Sequence, residues 1–361
     1  MHQRGRNSRH YRLLNPYSSR VTISSLHGVE FSGNFILTSR PGVMEAKKTS
    51  IRENAFDLLQ CVNQVIRAVV FFLVMLLFIP GALVILLLGR LTPWKRTINV
   101  FGMTVFNQLL ITIFDIDVYI QGKESFLALS SFVSDGAVSI LLFSHASNFD
   151  APILSAVMGH LDPSFLYAGV GKRDIFRTPL IGWFFSLTGM IPIDRSSLAD
   201  AIHSLNDAGE LLKSGVAIAI SPEGTRRRTP SVGSDHLLPF KKGPFHMLAS
   251  VAASGKRVAA MPVVFAGSRA AWPGMLPIPG SRVCIRFGTP ATFTGTVEVS
   301  EASSKCREIF VKEVDSLCKD GQYSGSRACE LGERLKLNLA VLLATQLVCW
   351  AITCGLVCCL I

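Results

Sequence analysis

Short apolar runs alternate with helical segments between residues 138 and 265, and this alternation constrains the fold more than any other feature of the sequence. Runs bounded by turn residues predict five strands: Val138–Ser144, Phe165–Val170, Met190–Ile193, Val216–Ile220 and Met261–Phe265. The segments between them predict four helices: Ala151–His160, Phe176–Thr188, Ser197–Lys213 and Pro244–Ser254. Alternation of this kind builds βαβ units, so we predict an α/β fold with a mostly parallel sheet flanked by helices.

Two apolar stretches outside this region predict membrane elements. Hydrophobic residues make up 49% of the 361 residues and charged residues 17%, with a mean hydropathy of +0.39, which excludes a disordered chain. Ala68–Gly89 is uncharged and long enough to span a bilayer, but Pro80 and Gly81 divide it, so we predict a membrane-dipping helical element over a clean crossing. Leu337–Ile361 contains no Asp, Glu, Lys, Arg or His and predicts a C-terminal transmembrane tail anchor, with a buried core helix as the alternative.

The positive charge is concentrated near the start of the chain. The net charge is +11, and the first 52 residues supply +7 of it, because nine basic residues there face only Glu30 and Glu45. We expect a basic, flexible arm at 1–55 that lies on anionic lipid, with a solvated tail or a plastid or mitochondrial transit peptide as alternatives. No nucleic-acid-binding pattern occurs, so no nucleic-acid partner is expected. The oligomeric state stays open.

Several catalytic motifs are missing from the sequence. The segment Gly169–Arg173 lacks the spacing and the Ser or Thr of a phosphate-binding P-loop. No GxSxG nucleophile motif and no HExxH metal motif occurs, so we expect no metal.

Polar residues follow the first predicted strand, in the segment Ser144–Asp150. A histidine and an aspartate five positions apart do not share a helix face. In a strand-to-helix turn, however, Asp150 can fold back onto His145, fix its tautomer and leave the second ring nitrogen as a general base. A purely structural His–Asp pair is the alternative.

Two further blocks follow later strands. Arg195 ends the segment Ile191–Arg195, where it is placed to meet an anion, and a surface ion pair is the alternative. In the segment Ser221–Arg228, Gly224 permits a sharp turn, and Thr225 and the arginines can donate to phosphate oxygens. Glu223 accepts hydrogen bonds from a polyol or holds this loop in shape.

The last block lies around the final predicted helix and strand. Lys241 and Lys242 meet a phosphate or solvate the start of the helix. Pro262, inside a predicted strand, marks a sheet edge or a bulge and opens a substrate channel.

In order and content these blocks resemble the glycerolipid acyltransferase family, which includes the 1-acylglycerol-3-phosphate acyltransferases. The four matching blocks are His145–Asp150 for the H-x4-D block, Ile191–Arg195 for the second, Glu223–Arg226 for E-G-T-R and Met261–Val264 for the proline block. The resemblance covers Val138–Phe265. Ser221 and Pro192 depart from it, since many members carry aromatic residues there.

The resemblance implies a glycerol-phosphate acyltransferase fold and a catalytic domain at 115–330, between membrane-associated helices at 56–114 and the anchor at 337–361. It implies acyl transfer from acyl-CoA to the sn-2 hydroxyl of lysophosphatidate, which forms phosphatidate in phospholipid biosynthesis. Alternatives are a remodelling acyltransferase for another lysophospholipid, a glycerol-3-phosphate acyltransferase, or, from another class, a non-catalytic membrane lipid-binding protein.

The resemblance also assigns residues and partners. The implied catalytic residues are His145 and Asp150, the implied phosphate-binding residues are Arg195, Glu223, Gly224, Thr225 and Arg226, and the supporting residues are Asn148, Lys241, Lys242 and Pro262. No cofactor is expected to be bound; acyl-CoA is the co-substrate, and membrane lipids are the partners. The expected location is the endoplasmic reticulum membrane with the catalytic domain facing the cytosol, and a mitochondrial or plastid membrane is the alternative.

Overall fold

The computed structural model describes residues 41–179, 181–194, 197–227, 237–274, 276–317 and 333–335, with the single positions 347 and 351. The chain divides into two compact units, Met1–Asn54 and Ala55–Ile361. Of the first unit only 41–54 are described, and they are helical. Residues 1–40 of the predicted basic arm lie outside the described residues, as does the predicted anchor Leu337–Ile361 apart from Leu347 and Ala351, so both stay predictions.

Two long apolar helices precede the sheet. They are α1 (Pro41–Gly89) and α2 (Lys95–Ile113). Within α1, Leu58–Gly89 is long and apolar enough to cross a membrane, judged by length and composition, and it is the one such helix in the described part of the chain. One face of this stretch is buried, whereas the opposite face exposes the apolar side chains Val69, Val70, Phe72, Leu73, Leu76 and Leu87.

Helix α1 continues through Pro80, so the predicted break at Pro80 and Gly81 is wrong. A proline inside a helix costs about 3 kcal/mol, because it removes one hydrogen bond and crowds the preceding turn. Phe78 before the proline and Leu86 after it are buried in one cluster with residues of α2. Burial of such side chains contributes about 1.5–3 kcal/mol each, which is enough to hold both halves in one helix.

The described residues form a sheet of nine strands in the order β4-β3-β5-β2-β6-β7-β1-β9, with β8 also paired to β6. The strands are β1 (Asp117–Gln121), β2 (Val138–Phe143), β3 (Tyr167–Lys172), β4 (Ile191–Ile193), β5 (Ala217–Ile220), β6 (Val258–Ala266), β7 (Arg282–Phe287), β8 (Ala291–Phe293) and β9 (Glu333–Arg334). The pairs within β4-β3-β5-β2-β6 are parallel, as is β1 with β7. Strands β7 and β8 run antiparallel to β6, and β9 antiparallel to β1. The sheet is therefore mixed, and the prediction of a mostly parallel sheet is wrong.

The connection after β6 explains the reversal. It contains only the four-residue helix α8 (Ser268–Ala271), whereas a return in the parallel direction requires a full crossover, usually a longer helix. The chain therefore comes back antiparallel as β7, is interrupted, and continues beside β6 as β8.

Pro262 lies inside β6, with β2 on one side and β7 and β8 on the other, so it is not at a sheet edge. The alternative, a bulge, is present: between the pairs Val263–Phe287 and Ala260–Ala291, two residues of β6 lie opposite three of its partner. The carbonyl of Pro262 accepts a hydrogen bond from Gly288 N at 2.9 Å, which shows that its backbone faces the β7–β8 side. Residues 288–290 interrupt the partner strand at this point. The missing N–H of the proline therefore falls at a gap in the ladder.

Helices cover both faces of the sheet. Besides α1, α2 and α8 they are α3 (Lys123–Ser134), α4 (Asp150–Leu161), α5 (Ile181–Leu187), α6 (Leu198–Lys213), α7 (Gly243–Ala253) and α9 (Val299–Leu317), with a short 3₁₀ helix at Arg173–Arg177. Alternate side chains of β2 enter different cores: Leu141 and Phe143 pack with residues of α2 and α4, and Ile140 and Leu142 pack with residues of α6, α7 and α9. Burial on both faces fixes the position of β2 and of the loop that follows it.

The predicted alternation is present, with boundaries that differ by a few residues, except that the predicted helix Phe176–Thr188 is divided between the 3₁₀ helix and α5. The domain boundaries predicted above stay predictions.

Candidate active site

The loop after β2 brings a histidine and an aspartate into contact. Strand β2 ends at Phe143 and α4 begins at Asp150, and the residues between them form a tight turn. His145 Nδ1 lies 3.1 Å from Asp150 Oδ2. The side chain of His145 is 25% exposed, whereas that of Asp150 is fully buried. The predicted contact is therefore present, and the imidazole remains accessible from outside.

Asp150 is held rigidly by the same turn. Its Oδ2 atom accepts hydrogen bonds from Ala146 N and Ser147 N, each at 2.7 Å. Asp150 also lies in the first turn of α4, where the free N–H groups of the helix favour a negative charge. An ionised carboxylate can only accept hydrogen bonds, so Nδ1 of His145 donates and Nε2 keeps its lone pair. The arrangement can therefore accept a proton at Nε2.

Glu223 connects this turn to the loop after β5. Its side chain is buried, its Oε1 atom accepts from His145 N at 3.3 Å, and its Oε2 atom accepts from Leu238 N at 3.1 Å. Burial raises the pKa of Glu223, although Arg227 and the two backbone N–H groups act in the opposite direction. With both oxygens engaged inside the protein, these contacts favour the loop-holding role of Glu223 over phosphate binding.

Arg227 is a second inward-facing member of this loop. Its side chain is 3% exposed, and its Nε atom lies 3.2 Å from Glu223 Oε2. That N–H is not directed at the carboxylate oxygen, so the contact is an ion pair without a hydrogen bond. Arg227 N also donates to His145 O at 3.0 Å. The backbone of His145 is therefore held on both sides by the loop after β5.

Other predicted residues of the loop after β5 face outward. Gly224 has a φ of +73°, which an L side chain rarely adopts, and Thr225 and Arg226 are exposed. Lys241 N donates to Pro222 O at 2.8 Å, which brings the lysine pair beside this turn. A cavity of about 1510 Å³ extends along α6 and α7, and its lining includes Gly224, Thr225, Lys241 and Lys242. The structure therefore gathers these four predicted residues at one opening.

A smaller cavity, of about 90 Å³, lies under the start of α4. Phe143, Ala151 and Pro152, which flank the His145 turn, line it together with side chains of α2 and α5. Its deep wall includes Tyr167, and burial raises the pKa of this residue to about 12, so the phenol stays neutral. Residues on both sides of the His–Asp turn thus line a small, mostly apolar space.

The remaining predicted residues are placed as follows. Asn148 is exposed on the His145 turn, Pro262 is buried in β6, and Arg195 lies outside the described residues. Asp194, the residue before Arg195, accepts a hydrogen bond from Arg173 Nη1 at 2.8 Å. The described ranges contain no group of three or more His, Cys, Asp or Glu residues that could hold a metal ion.

Three partners of this site were not predicted from the sequence. Leu238 contributes only its backbone N–H, so no side-chain pattern could indicate it. Arg227 was grouped with its neighbouring arginines as a donor to phosphate oxygens, whereas the structure turns it inward to Glu223. Arg269 Nη1 donates to Arg227 O at 2.7 Å from helix α8, which had not been predicted.

Comparison with protein families identifies the domain that holds this site. Residues 118–266 match the family model described as Acyltransferase, and this range includes His145, Asp150 and the loop after β5. The chain carries an acyltransferase domain. Together with the relatives described next, this match confirms the predicted resemblance to the glycerolipid acyltransferases.

Named relatives are similar to this acyltransferase domain. A 1-acyl-sn-glycerol-3-phosphate acyltransferase of Limnanthes douglasii is 30% identical over 194 residues, which cover 52% of this chain and 59% of the relative. The chloroplastic 1-acyl-sn-glycerol-3-phosphate acyltransferase LPAT1 of Arabidopsis thaliana is 28% identical over 247 residues, which cover 68% of this chain and 60% of the relative. The chain thus spans about three fifths of the length of these relatives.

One solved structure shares the fold. The crystal structure of the 1-acyl-sn-glycerophosphate (LPA) acyltransferase PlsC from Thermotoga maritima aligns with a TM-score of 0.55 and 20% identity, and covers 72% of this chain and 97% of that protein. This similarity confirms the predicted α/β acyltransferase fold. The prediction is corrected in one point, because the sheet is mixed and not mostly parallel.

Replacing Asp150 by asparagine tests the role of the buried carboxylate. In Asp150→Asn one oxygen can still accept from Ala146 N and Ser147 N, but the negative charge that stabilises a protonated His145 is lost. We expect kcat for acyl transfer to fall by about 10²-fold or more, within the range that general-base catalysis contributes. The measurement is the initial rate of CoA release from an acyl-CoA with lysophosphatidate.

Asp207→Asn is the matched control, because Asp207 Oδ2 also lies 3.1 Å from a histidine Nδ1, that of His203, on the exposed face of α6. It should keep kcat within about twofold. An Asp150→Asn enzyme that kept more than half of the wild-type kcat would contradict the assigned role.

Proposed function

We propose that the chain is a 1-acyl-sn-glycerol-3-phosphate acyltransferase that transfers a fatty acyl group from acyl-CoA to the sn-2 hydroxyl of lysophosphatidate and forms phosphatidate. The observation that carries the proposal is the contact of His145 Nδ1 with Asp150 Oδ2, in an accessible turn of an acyltransferase domain. Relatives and a fold neighbour that bear this name support the choice of acceptor.

His145 acts as the general base in the proposed reaction. Nε2 takes the proton of the acceptor hydroxyl while the hydroxyl oxygen attacks the thioester carbonyl and the new C–O bond forms. The tetrahedral intermediate then expels CoA as the C–S bond breaks, and the thiolate takes the proton from the imidazolium. Asp150 stabilises the imidazolium throughout and is not itself protonated. No acyl-enzyme is required.

The acceptor phosphate binds at the loop after β5 in this proposal. Gly224 permits the sharp turn of this loop, and Thr225 and Arg226 offer exposed donors. Lys241 and Lys242 add positive charge at the mouth of the same cavity. Since Glu223 of this loop also bonds His145 N, a phosphate bound here holds the acceptor in a fixed position relative to the base.

Membrane attachment through α1 is part of the proposal. Phe78 and Leu86 of α1 pack on the catalytic domain, where the ring of Phe78 lies 5.8 Å from that of Phe184. Lipid can therefore reach only the opposite, exposed apolar face of this stretch. A helix with one face on protein and one apolar face outside favours lying at the bilayer surface over crossing it alone. The endoplasmic reticulum stays the predicted location.

A panel of acceptors and donors tests the proposed activity. Purified full-length protein is assayed with oleoyl-CoA or oleoyl-acyl carrier protein as donor, and with lysophosphatidate, lysophosphatidylcholine, lysophosphatidylethanolamine or glycerol 3-phosphate as acceptor. We expect the highest kcat/KM for oleoyl-CoA with lysophosphatidate, because this acceptor combines a terminal phosphate, which the hydrogen-bond donors of the loop can bind, with the acyl chain that glycerol 3-phosphate lacks.

Each other outcome identifies a rival. A preference for another lysophospholipid indicates a remodelling enzyme, and a preference for glycerol 3-phosphate indicates a glycerol-3-phosphate acyltransferase. Absence of transfer with every pair, in a sample that still binds lipid vesicles, supports a non-catalytic lipid-binding protein.

Introducing charges on the exposed apolar face of α1 tests whether this helix attaches the protein to the membrane. Phe72 and Leu76 are 66% and 62% exposed and lie one helical turn apart. The double variant Phe72→Glu/Leu76→Glu places two charges where lipid is expected, so its bound fraction in flotation with phosphatidylcholine–phosphatidate vesicles should fall at least about tenfold. Leu127→Glu on α3, also at an exposed leucine, is the control and should float like wild type. Unchanged flotation of the double variant contradicts attachment through α1.

A further inference from the structure

Helix α9 lies outside the region that matches the family model, yet one of its arginines contacts the segment that borders the site. Arg307 Nη1 donates to Leu238 O at 3.0 Å, and Nη2 lies 3.5 Å from Leu237 O. Its guanidinium carbon lies 5.2 Å from the centre of the Phe240 ring. Arg307 is half-buried and therefore bonds these carbonyls with less competition from water. We call 237–240 the clamp segment.

The clamp segment is fastened to α7 and α9 by aromatic packing as well. The ring of Phe240 stacks on Phe245 at 6.0 Å and meets Phe310 edge-on at 5.4 Å. Phe245 and Phe310 are fully buried. Arg307 therefore binds the backbone carbonyls of a segment whose Phe240 ring is already packed between buried aromatic rings. These contacts together leave the backbone of the clamp segment little freedom to rotate.

The opposite side of the clamp segment faces the site. Leu238 N donates to Glu223 Oε2 at 3.1 Å, and Glu223 Oε1 accepts from His145 N at 3.3 Å. Directly after the segment, Lys241 N donates to Pro222 O at 2.8 Å. A continuous set of hydrogen bonds thus runs from Arg307 through Leu238 and Glu223 to the backbone of His145.

We propose that Arg307 is a positioning residue for the acyl transfer: by holding the carbonyls of Leu237 and Leu238 it aims Leu238 N–H at Glu223, and so fixes the turn that carries His145. The inference rests on the proposed function for its kinetic consequences. Arg307 itself touches neither substrate nor reacting atoms. Its effect reaches the base only through the clamp segment and Glu223.

A change at Glu223 gives this role its own signature. The hydrogen bond from Leu238 N lowers the pKa of Glu223 against the effect of burial, as do the two groups that face it, the Arg227 guanidinium and the His145 ring when it carries a proton. If the clamp segment moves away, this pKa rises further. Glu223 then takes up a proton at a higher pH and holds Arg227 and His145 N less well, so the acidic limb of the rate profile moves to higher pH.

The test compares Arg307→Leu with Lys305→Leu in full-length protein. Lys305 is the matched control, because it is a basic residue of the same helix, α9, that also lies over an aromatic ring. Its Nζ lies 4.9 Å from the ring centre of Phe293 in β8, away from the clamp segment. We expect Arg307→Leu to lower kcat by about tenfold to a hundredfold, as small misplacements of a catalytic group do, and to move the acidic limb of kcat upward. Arg307→Lys keeps a cation over Phe240 and one donor, so it should recover most of the activity. Lys305→Leu should match wild type.

Amide hydrogen exchange supplies a readout that does not depend on activity. Arg307→Leu should speed exchange in peptides that contain 144–147 and 237–241, whereas Lys305→Leu should not. The inference is overturned if Arg307→Leu keeps the wild-type pH profile and exchange at 144–147, even when its melting temperature falls, since that result describes a purely structural residue. If wild type transfers no acyl group, the proposed function fails by itself, and the exchange data still decide whether Arg307 orders the His145 turn.

Discussion

A buried carboxylate, that of Glu223, is the interaction on which the arrangement of the site depends. Strands β2 and β5 are parallel neighbours, so their carboxyl ends lie side by side and their loops meet. Glu223 joins the two loops by accepting from His145 N and from Leu238 N. Arg227 and the two hydrogen bonds offset part of the cost of burying this charge, although burial still raises the pKa of Glu223. The same contacts place the base beside the proposed phosphate-binding turn.

The parallel half of the sheet could be predicted from the sequence, because apolar runs and helical segments alternate locally there. The antiparallel strands could not, since the direction of β7 and β8 depends on a connection whose helix has only four residues. Two prolines led to wrong predictions for a related reason: Pro80 does not break α1, and Pro262 does not lie at a sheet edge. Each is tolerated through long-range packing or pairing, which no local pattern indicates.

The contact of His145 with Asp150 could be predicted, because a five-residue spacing at the end of a strand leaves few other arrangements for the turn. The sequence left the role of Glu223 open between binding a ligand and holding the loop, and its burial and its two backbone hydrogen bonds favour the second role. Three successive arginines give no indication of which side chain turns inward. Leu238 contacts Glu223 through its backbone N–H, and Arg307 lies on a helix far along the chain. No local sequence pattern indicates either residue.

In the proposed reaction His145, held by Asp150 and Glu223, is the base for acyl transfer, and a comparison of rates tests this role. The measurement is the initial rate of CoA release from oleoyl-CoA with lysophosphatidate for wild type, His145→Ala and His203→Ala. The control is matched, since His203 also lies 3.1 Å from an aspartate oxygen but on an exposed helix face. The account predicts that His145→Ala lowers the rate by about 10²–10⁴-fold and that His203→Ala leaves it within about twofold. A rate for His145→Ala within about twofold of wild type would contradict it.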